Sequence, residues 1–172
     1  SKQNNNYFSF KKKKDYKILN ETKILHQKRK DLSKIQIIEF SILFIILNYL
    51  DIALKKLDDL SNLDFTSENN ESLKKEIINF LIKGEDKEFI TSRINQANNN
   101  FIKEINENSN IQIILKNKSV ENTSDLLDEL IQDHKDQTNL KKIESLEQKL
   151  INNLDENSYS ELIKLKSQLN RE

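Results

Sequence analysis

The sequence predicts an all-α fold, a helical bundle followed by a C-terminal antiparallel helical hairpin. Three observations predict it. Apolar residues recur at helical spacing from Ser33 onward. No stretch alternates with period two for long, and Val and Trp, which favour strands, are almost absent. A short polar turn, Asp155 to Ser158, separates the last two apolar stripes, which makes those two helices antiparallel neighbours.

Residues 1–33 stand apart as a basic linker. Ser1 to Lys34 holds eleven Lys+Arg against three Asp+Glu, a net of +8, and the remainder carries −8. Asn4-Asn5-Asn6 and Lys11 to Lys14 cannot build a core, so residues 1–17 are expected to be extended. Glu21 to Leu32 has the pattern of a helix. Tyr7, Phe8 and Phe10 precede the lysines, and basic residues interleaved with aromatics suit a weak contact with single-stranded nucleic acid through residues 7–34. A plain tail explains the same residues.

The bundle is expected over 34–117. Ile35, Ile38, Ile42, Ile45 and Ile46 fall on one face of a helix, and Phe40, Phe44 and Leu47 on another. A helix apolar on most sides is a central core helix. Its thirteen-residue apolar stretch, Ile35 to Leu47, is too short for a bilayer, which needs about 20 residues. Asn48-Tyr49 breaks the run. Leu50, Leu54, Leu57 and Leu60 form the stripe of a second helix. Asn62 to Thr66 is a connector and Ser67 a cap. Leu73, Ile77, Phe80 and Leu81 line the next helix. Gly84, the one glycine, suits the left-handed residue after its end. Phe89, Ile90 and Ile94 mark a short helix. Asn98 to Asn100 reads as a connector before Phe101, Ile102 and Ile105, and Ile111 to Leu115 follows.

Residues 118–172 are expected to form the hairpin. Thr123 or Ser124 is placed as the cap of a long helix. Its stripe runs Leu126, Leu127, Leu130, Ile131, then Leu140, Ile143, Leu146, Leu150, Ile151 and Leu154. A polar patch at His134 to Asn139 interrupts the stripe and argues against a continuous coiled coil. Asp155 to Ser158 reads as a turn. Tyr159, Leu162, Leu165 and Leu169 form the last apolar stripe.

Composition excludes most chemistry. No Cys removes disulfides, thiolate nucleophiles and Cys-ligated metals. Without glycine-rich segments no phosphate loop exists. Two histidines, His26 and His134, make no credible triad or metal cluster. His26 reads as part of a basic face and His134 as an exposed helix residue. Asp58, Asp59, Asp64, Glu68 and Glu71 read as a solvated acidic face, since no oxygen-rich loop holds a cation there. No catalytic site, cofactor, metal or small-molecule substrate is expected, and no membrane contact. Lacking Cys and a secretory signal, the chain is expected in the cytoplasm. Lys, Asn and Ile are rich, and Arg, Ala and Val scarce, as in AT-rich genomes. No Met occurs, so a piece of a longer protein is expected.

The order of segments resembles the C-terminal helicase-binding region of bacterial replicative DNA primase, especially its alphaproteobacterial form. There a helix carries a Glu, apolar residues and an Asn-His-Pro break. Here these are Glu39, Leu43, Leu47 and Asn48, with Tyr49-Leu50 where His-Pro is usual. A Leu-x-Phe-Ser-Ser-like connector matches Leu63-Asp64-Phe65-Thr66-Ser67, followed by Leu73, Ile77 and Ile78. A closing long helix and short helix match Thr123 to Leu154 and Ser158 to Arg171. The resemblance covers about residues 34–172 and rests on helix order and apolar spacing. It implies that residues 1–33 end a preceding catalytic core, and that the zinc and magnesium of the parent enzyme belong to domains outside this chain. It implies docking on the hexameric replicative helicase, which recruits RNA primer synthesis to the replication fork. The docking residues would be Tyr159, Leu162, Leu165, Lys166 and Leu169, with Arg171 at the rim. The same residues would serve equally as the inner seam of the hairpin. The competing expectation is a non-enzymatic helical scaffold with the hairpin as a coiled-coil element.

Overall fold

The computed structural model describes residues 32–109, 111–115, 119–152 and 155–169. The expected helix over 21–32 and the basic aromatic stretch around 7–31 lie outside them, apart from Leu32. Among the described residues every regular element is a helix. In chain order these are α1 (Lys34–Asn48), α2 (Leu50–Lys55), α3 (Leu57–Ser61), α4 (Glu68–Ile82), α5 (Lys87–Asn108), α6 (Ile111–Leu115), α7 (Val120–Asn152) and α8 (Glu156–Leu169). The all-α expectation is met.

Helix α1 is the axis of the bundle. Ser33 caps it by accepting from the Gln36 N–H, and the Gln36 side chain returns the bond to the Ser33 N–H, a closed capping box. Ile35, Ile38, Phe40, Ile42, Leu43, Ile45 and Ile46 are all buried, so the helix is covered on nearly every side. Each such side chain contributes roughly 1.5–3 kcal/mol on burial. Helices α4, α5 and the first half of α7 surround it. Phe40 meets Phe101 of α5 edge to face at 6.2 Å. The helix stops at Asn48 because Tyr49 leaves helical geometry, with φ −132° and ψ 62°.

Four boundaries differ from the sequence reading. The second stripe is two short helices, α2 and α3, broken at Lys56. Leu50 and Leu60 are buried, whereas Leu54 faces solvent. Lys56 is turned towards α7, where it pairs with Asp128 at 2.7 Å. Asn98 to Asn100 is no connector, because α5 runs through it with a kink at Asn98, whose side chain reaches Glu76 of α4. Helix α7 starts before Thr123. Ser119 is the cap, accepting from the Asn122 N–H, while the Thr123 hydroxyl donates to the Ser119 carbonyl. Helix α8 starts at Glu156, before Ser158. Asp155 caps it, accepting from the N–H and hydroxyl of Ser158, which hold its carboxyl below the usual range. Ser67 does precede α4, but its side chain makes no capping bond.

Gly84 ends α4 as expected. Its φ is +70°, the Gly84 N–H reaches the Leu81 carbonyl and the Glu85 N–H the Phe80 carbonyl. This is the paired bonding of a left-handed C-terminal cap. A Cβ at Gly84 would meet nothing within 4 Å, so its cost is purely conformational.

Helix α7 runs unbroken through 33 residues, about 50 Å at 1.5 Å per residue. Leu127 and Ile131 belong to the bundle core. Ile143 and Leu146 belong to a second, smaller core with Leu162 of α8, flanked by Leu150, Leu165 and Leu169. Substituting Gly84→Ala should destabilise the chain by about 1 kcal/mol, the cost of a side chain in left-handed geometry, with no change in helicity. Urea unfolding followed by circular dichroism measures it.

Candidate functional site

Two features carry more than packing. The first is a buried polar cluster joining α1, the 62–67 connector, α4 and α7. The second is the exposed edge of the α7–α8 pair.

Glu39 is 0 % exposed on a helix that is otherwise a core element. An isolated buried carboxylate is costly, so it must be satisfied on all sides. Its Oε1 accepts from the Thr66 N–H at 2.5 Å, the Thr66 hydroxyl at 2.7 Å and His134 Nε2 at 3.2 Å. Its Oε2 accepts from Asn70 Nδ2 at 2.6 Å. A carboxylate can only accept, so Nε2 of His134 carries the proton. Burial alone raises the Glu39 pKa. The donors from His134, Asn70 and Thr66 outweigh it and hold the carboxyl below its ordinary value.

Beside it lies a second buried charge. Lys74 of α4 is 1 % exposed. Its ammonium donates to the Leu63 carbonyl, pairs with Glu71 at 2.8 Å and sits 4.9 Å from the centre of the Phe65 ring. Glu71 accepts from the Phe65 N–H at 2.8 Å and also pairs with Lys75. Burial pushes the Glu71 carboxyl up, and the bonds from Lys74, Phe65 and Lys75 bring it below its usual range. The backbone of Leu63, Phe65 and Thr66 is therefore tied down by three side chains. The Phe65 ring meets His134 at a tilt of 49°, with centroids 5.4 Å apart.

Two readings of the sequence are corrected here. His134 is buried at 1 % exposure, because Glu39 and Phe65 receive it where α7 crosses the connector. Glu71 leaves the solvated acidic face, since it is the acceptor for Phe65 and the partner of Lys74. Asp58, Asp59, Asp64 and Glu68 are exposed, as expected. Among the described residues no group of three His, Asp or Glu side chains could hold a metal, and no helix is long and apolar enough to cross a membrane.

The five expected docking residues are divided by the structure. Leu162 is buried in the seam against Ile143 and Leu146, and Leu165 and Leu169 pack on the same cluster. Tyr159 is 56 % exposed, and Lys166 pairs with Glu147 of α7 at 2.7 Å. Arg171 lies outside the described residues, as does Leu154. The Glu147–Lys166 pair marks one edge of the two helices. Leu140 and Ile151 stand seven residues before and four after Glu147, on its side of α7. Tyr159 and Ile163 stand seven and three residues before Lys166, on its side of α8. One edge thus gathers Leu140 at 42 %, Ile151 at 76 %, Tyr159 at 56 % and Ile163 at 51 % exposure around a central ion pair. Exposed apolar side chains gathered along one edge are the kind of surface that an interaction site uses.

The sequence reading missed Ile163. The i, i+4 step from Tyr159 to Ile163, off the leucine stripe, is the signal that marks it. Glu39 and His134 were missed as a pair, being 95 residues apart.

No protein-family model, curated protein or solved structure matches the chain.

Removing one acceptor from the polar cluster should be costly. Glu39→Gln places an amide NH2 among donors and should destabilise the chain by about 2–3 kcal/mol. The folded-state pKa values of Glu39 and Glu71 lie below 4.5, so their stabilisation is present above that pH and is lost as pH falls through the folded values. Urea midpoints measured from pH 7 to pH 2 should fall steeply below about pH 4.5 in the native chain and less steeply in Glu39→Gln.

Proposed function

We propose that this chain is the helicase-docking end of a bacterial replicative primase. In that role it has no chemistry of its own and brings primer synthesis to the fork by binding the hexameric helicase. The observation that carries the reading is the exposed apolar edge formed by Leu140, Ile151, Tyr159 and Ile163. These residues lie on the α7–α8 pair, beyond the part of α7 that belongs to the bundle core.

Further support comes from the residues behind the primase resemblance. Glu39 and the Leu63 to Ser67 connector are the partners that the buried cluster joins. The mechanism is helix-in-groove burial, with a partner helix laid along the edge and Tyr159 as its largest anchor. Leu162, Leu165 and Leu169 act behind it, holding α8 in place. Lys166 and Glu147 stand at the centre and set the register of approach.

The decisive experiment is capture of a cognate hexameric replicative helicase by the purified chain. Tyr159→Asp with Ile163→Asp should lower affinity at least a hundredfold and leave circular dichroism unchanged, since both side chains face solvent. Unimpaired binding by that double variant would remove the edge as the docking face. No binding by the unsubstituted chain would remove the primase reading and leave a helical scaffold.

A further inference from the structure

The exposed edge of the α7–α8 pair is a face built by two helices. At about 100° per residue, Leu140, Glu147 and Ile151 of α7 lie about a quarter turn from its seam residues Ile143, Leu146 and Leu150. Tyr159, Ile163 and Lys166 of α8 lie about a quarter turn from Leu162, Leu165 and Leu169. The 2.7 Å bond between Glu147 and Lys166 shows that both rows point to the same side. On α7 that side is roughly opposite the one that Leu127, Ile131 and His134 turn towards the bundle. The bundle therefore does not block approach to the edge. The side chains of Glu147 and Lys166 stand about half in solvent, so each can take a second partner of opposite charge.

We propose that a second copy of this chain covers the edge, in a dimer whose twofold axis runs parallel to α7 and α8. Helix α8 starts four residues after α7 ends and packs back along it, so the two run in opposite directions. A twofold along them sets α7 against α8 of the second copy and completes a four-helix bundle in which all neighbours are antiparallel. Glu147 then faces Lys166 of the partner subunit, and Lys166 faces Glu147 of the partner subunit. Four charges alternate in sign around the axis. Ile151 lies about 6 Å past Glu147 along α7, and Ile163 about 4.5 Å before Lys166 along the opposed α8. The two isoleucines stand at nearly the same height, so Ile151 of each copy meets Ile163 of the other. A twofold across the helices would instead set Glu147 on Glu147 and Lys166 on Lys166, and charge rejects it. The dimer covers the edge that the docking reading gives to the helicase, so the two occupants exclude one another. It does not rest on that reading, because it needs only this chain's own residues.

Sedimentation equilibrium of the unsubstituted chain from about 10 μM to about 1 mM, the range of weak specific association, should show the mass rising from monomer to dimer. Glu147→Lys alone and Lys166→Glu alone should each weaken association at least tenfold, since each sets like charges face to face twice. Mixed in equal amounts, the two variants should regain the dimer, because each supplies the charge that the other lacks. That rescue cannot arise within one chain, where each variant still holds two like charges side by side. Circular dichroism should match in all three chains, as both side chains stand about half in solvent. An unsubstituted chain that stays monomeric throughout overturns the proposal. So do single variants that associate as well as the unsubstituted chain, and a mixture that associates no better than its components. A chain that dimerises but captures no helicase upholds the dimer and removes the docking reading, and a monomer that captures helicase does the reverse.

Discussion

A carboxylate buried at the centre of an apolar helix is the constraint around which this fold is arranged. Glu39 has no solvent, so its acceptor sites must be filled by donors delivered from elsewhere in the chain. Thr66 arrives from the connector, Asn70 from α4 and His134 from α7. Each of these residues must be in register for any of them to serve. Apolar packing alone tolerates sliding by a turn, because one isoleucine replaces another at little cost. A shared acceptor does not tolerate it. In a chain so rich in Ile and Leu, Glu39 makes contacts that an isoleucine one turn away could not replace.

The neighbouring lysine extends the same logic to a segment without secondary structure. A connector crossing a core surface has backbone groups that no helix satisfies. Lys74 takes the Leu63 carbonyl, Glu71 the Phe65 N–H and Glu39 the Thr66 N–H. The charges of Lys74 and Glu71 cancel at 2.8 Å, and the Phe65 ring covers the ammonium. His134 then closes over Phe65. The connector is thus a moulded part of the core, and α7 is seated upon it.

Much of this architecture was legible in the sequence, and the exceptions have a common cause. The extent of α1, the break at Asn48-Tyr49, the connector after Asn62 and the cap at Gly84 follow from local signals, whether apolar period, a polar interruption or a lone glycine. His134 was not legible, since nothing adjacent to it distinguishes a surface histidine from one that meets a carboxylate 95 residues away. Glu71 reads as solvated because its own segment does not show that Lys74 is buried or that the connector brings the Phe65 N–H to it. Asn98 misled because an Asn run commonly ends helices, whereas here packing carries α5 through it at the cost of a kink. On α8 the leucine stripe pointed to the seam. The outward edge needs the pairing of Glu147 with Lys166 to reveal which side faces out.

That ion pair also bears on how the edge discriminates. Both of its members are about half exposed, so it contributes at most about 1 kcal/mol to holding α8 in place. The seam of Ile143, Leu146 and Leu162 already does that work. An ion pair between four exposed apolar side chains has a different consequence. On the docking reading, a partner helix covering Tyr159 and Ile163 must also pass over Lys166 and Glu147, and burying those charges without matching groups costs several kcal/mol. Apolar surface alone would accept many amphipathic helices. On that reading, a fixed pair of opposite charges set among them would favour a helix whose own polar residues fall at the same height.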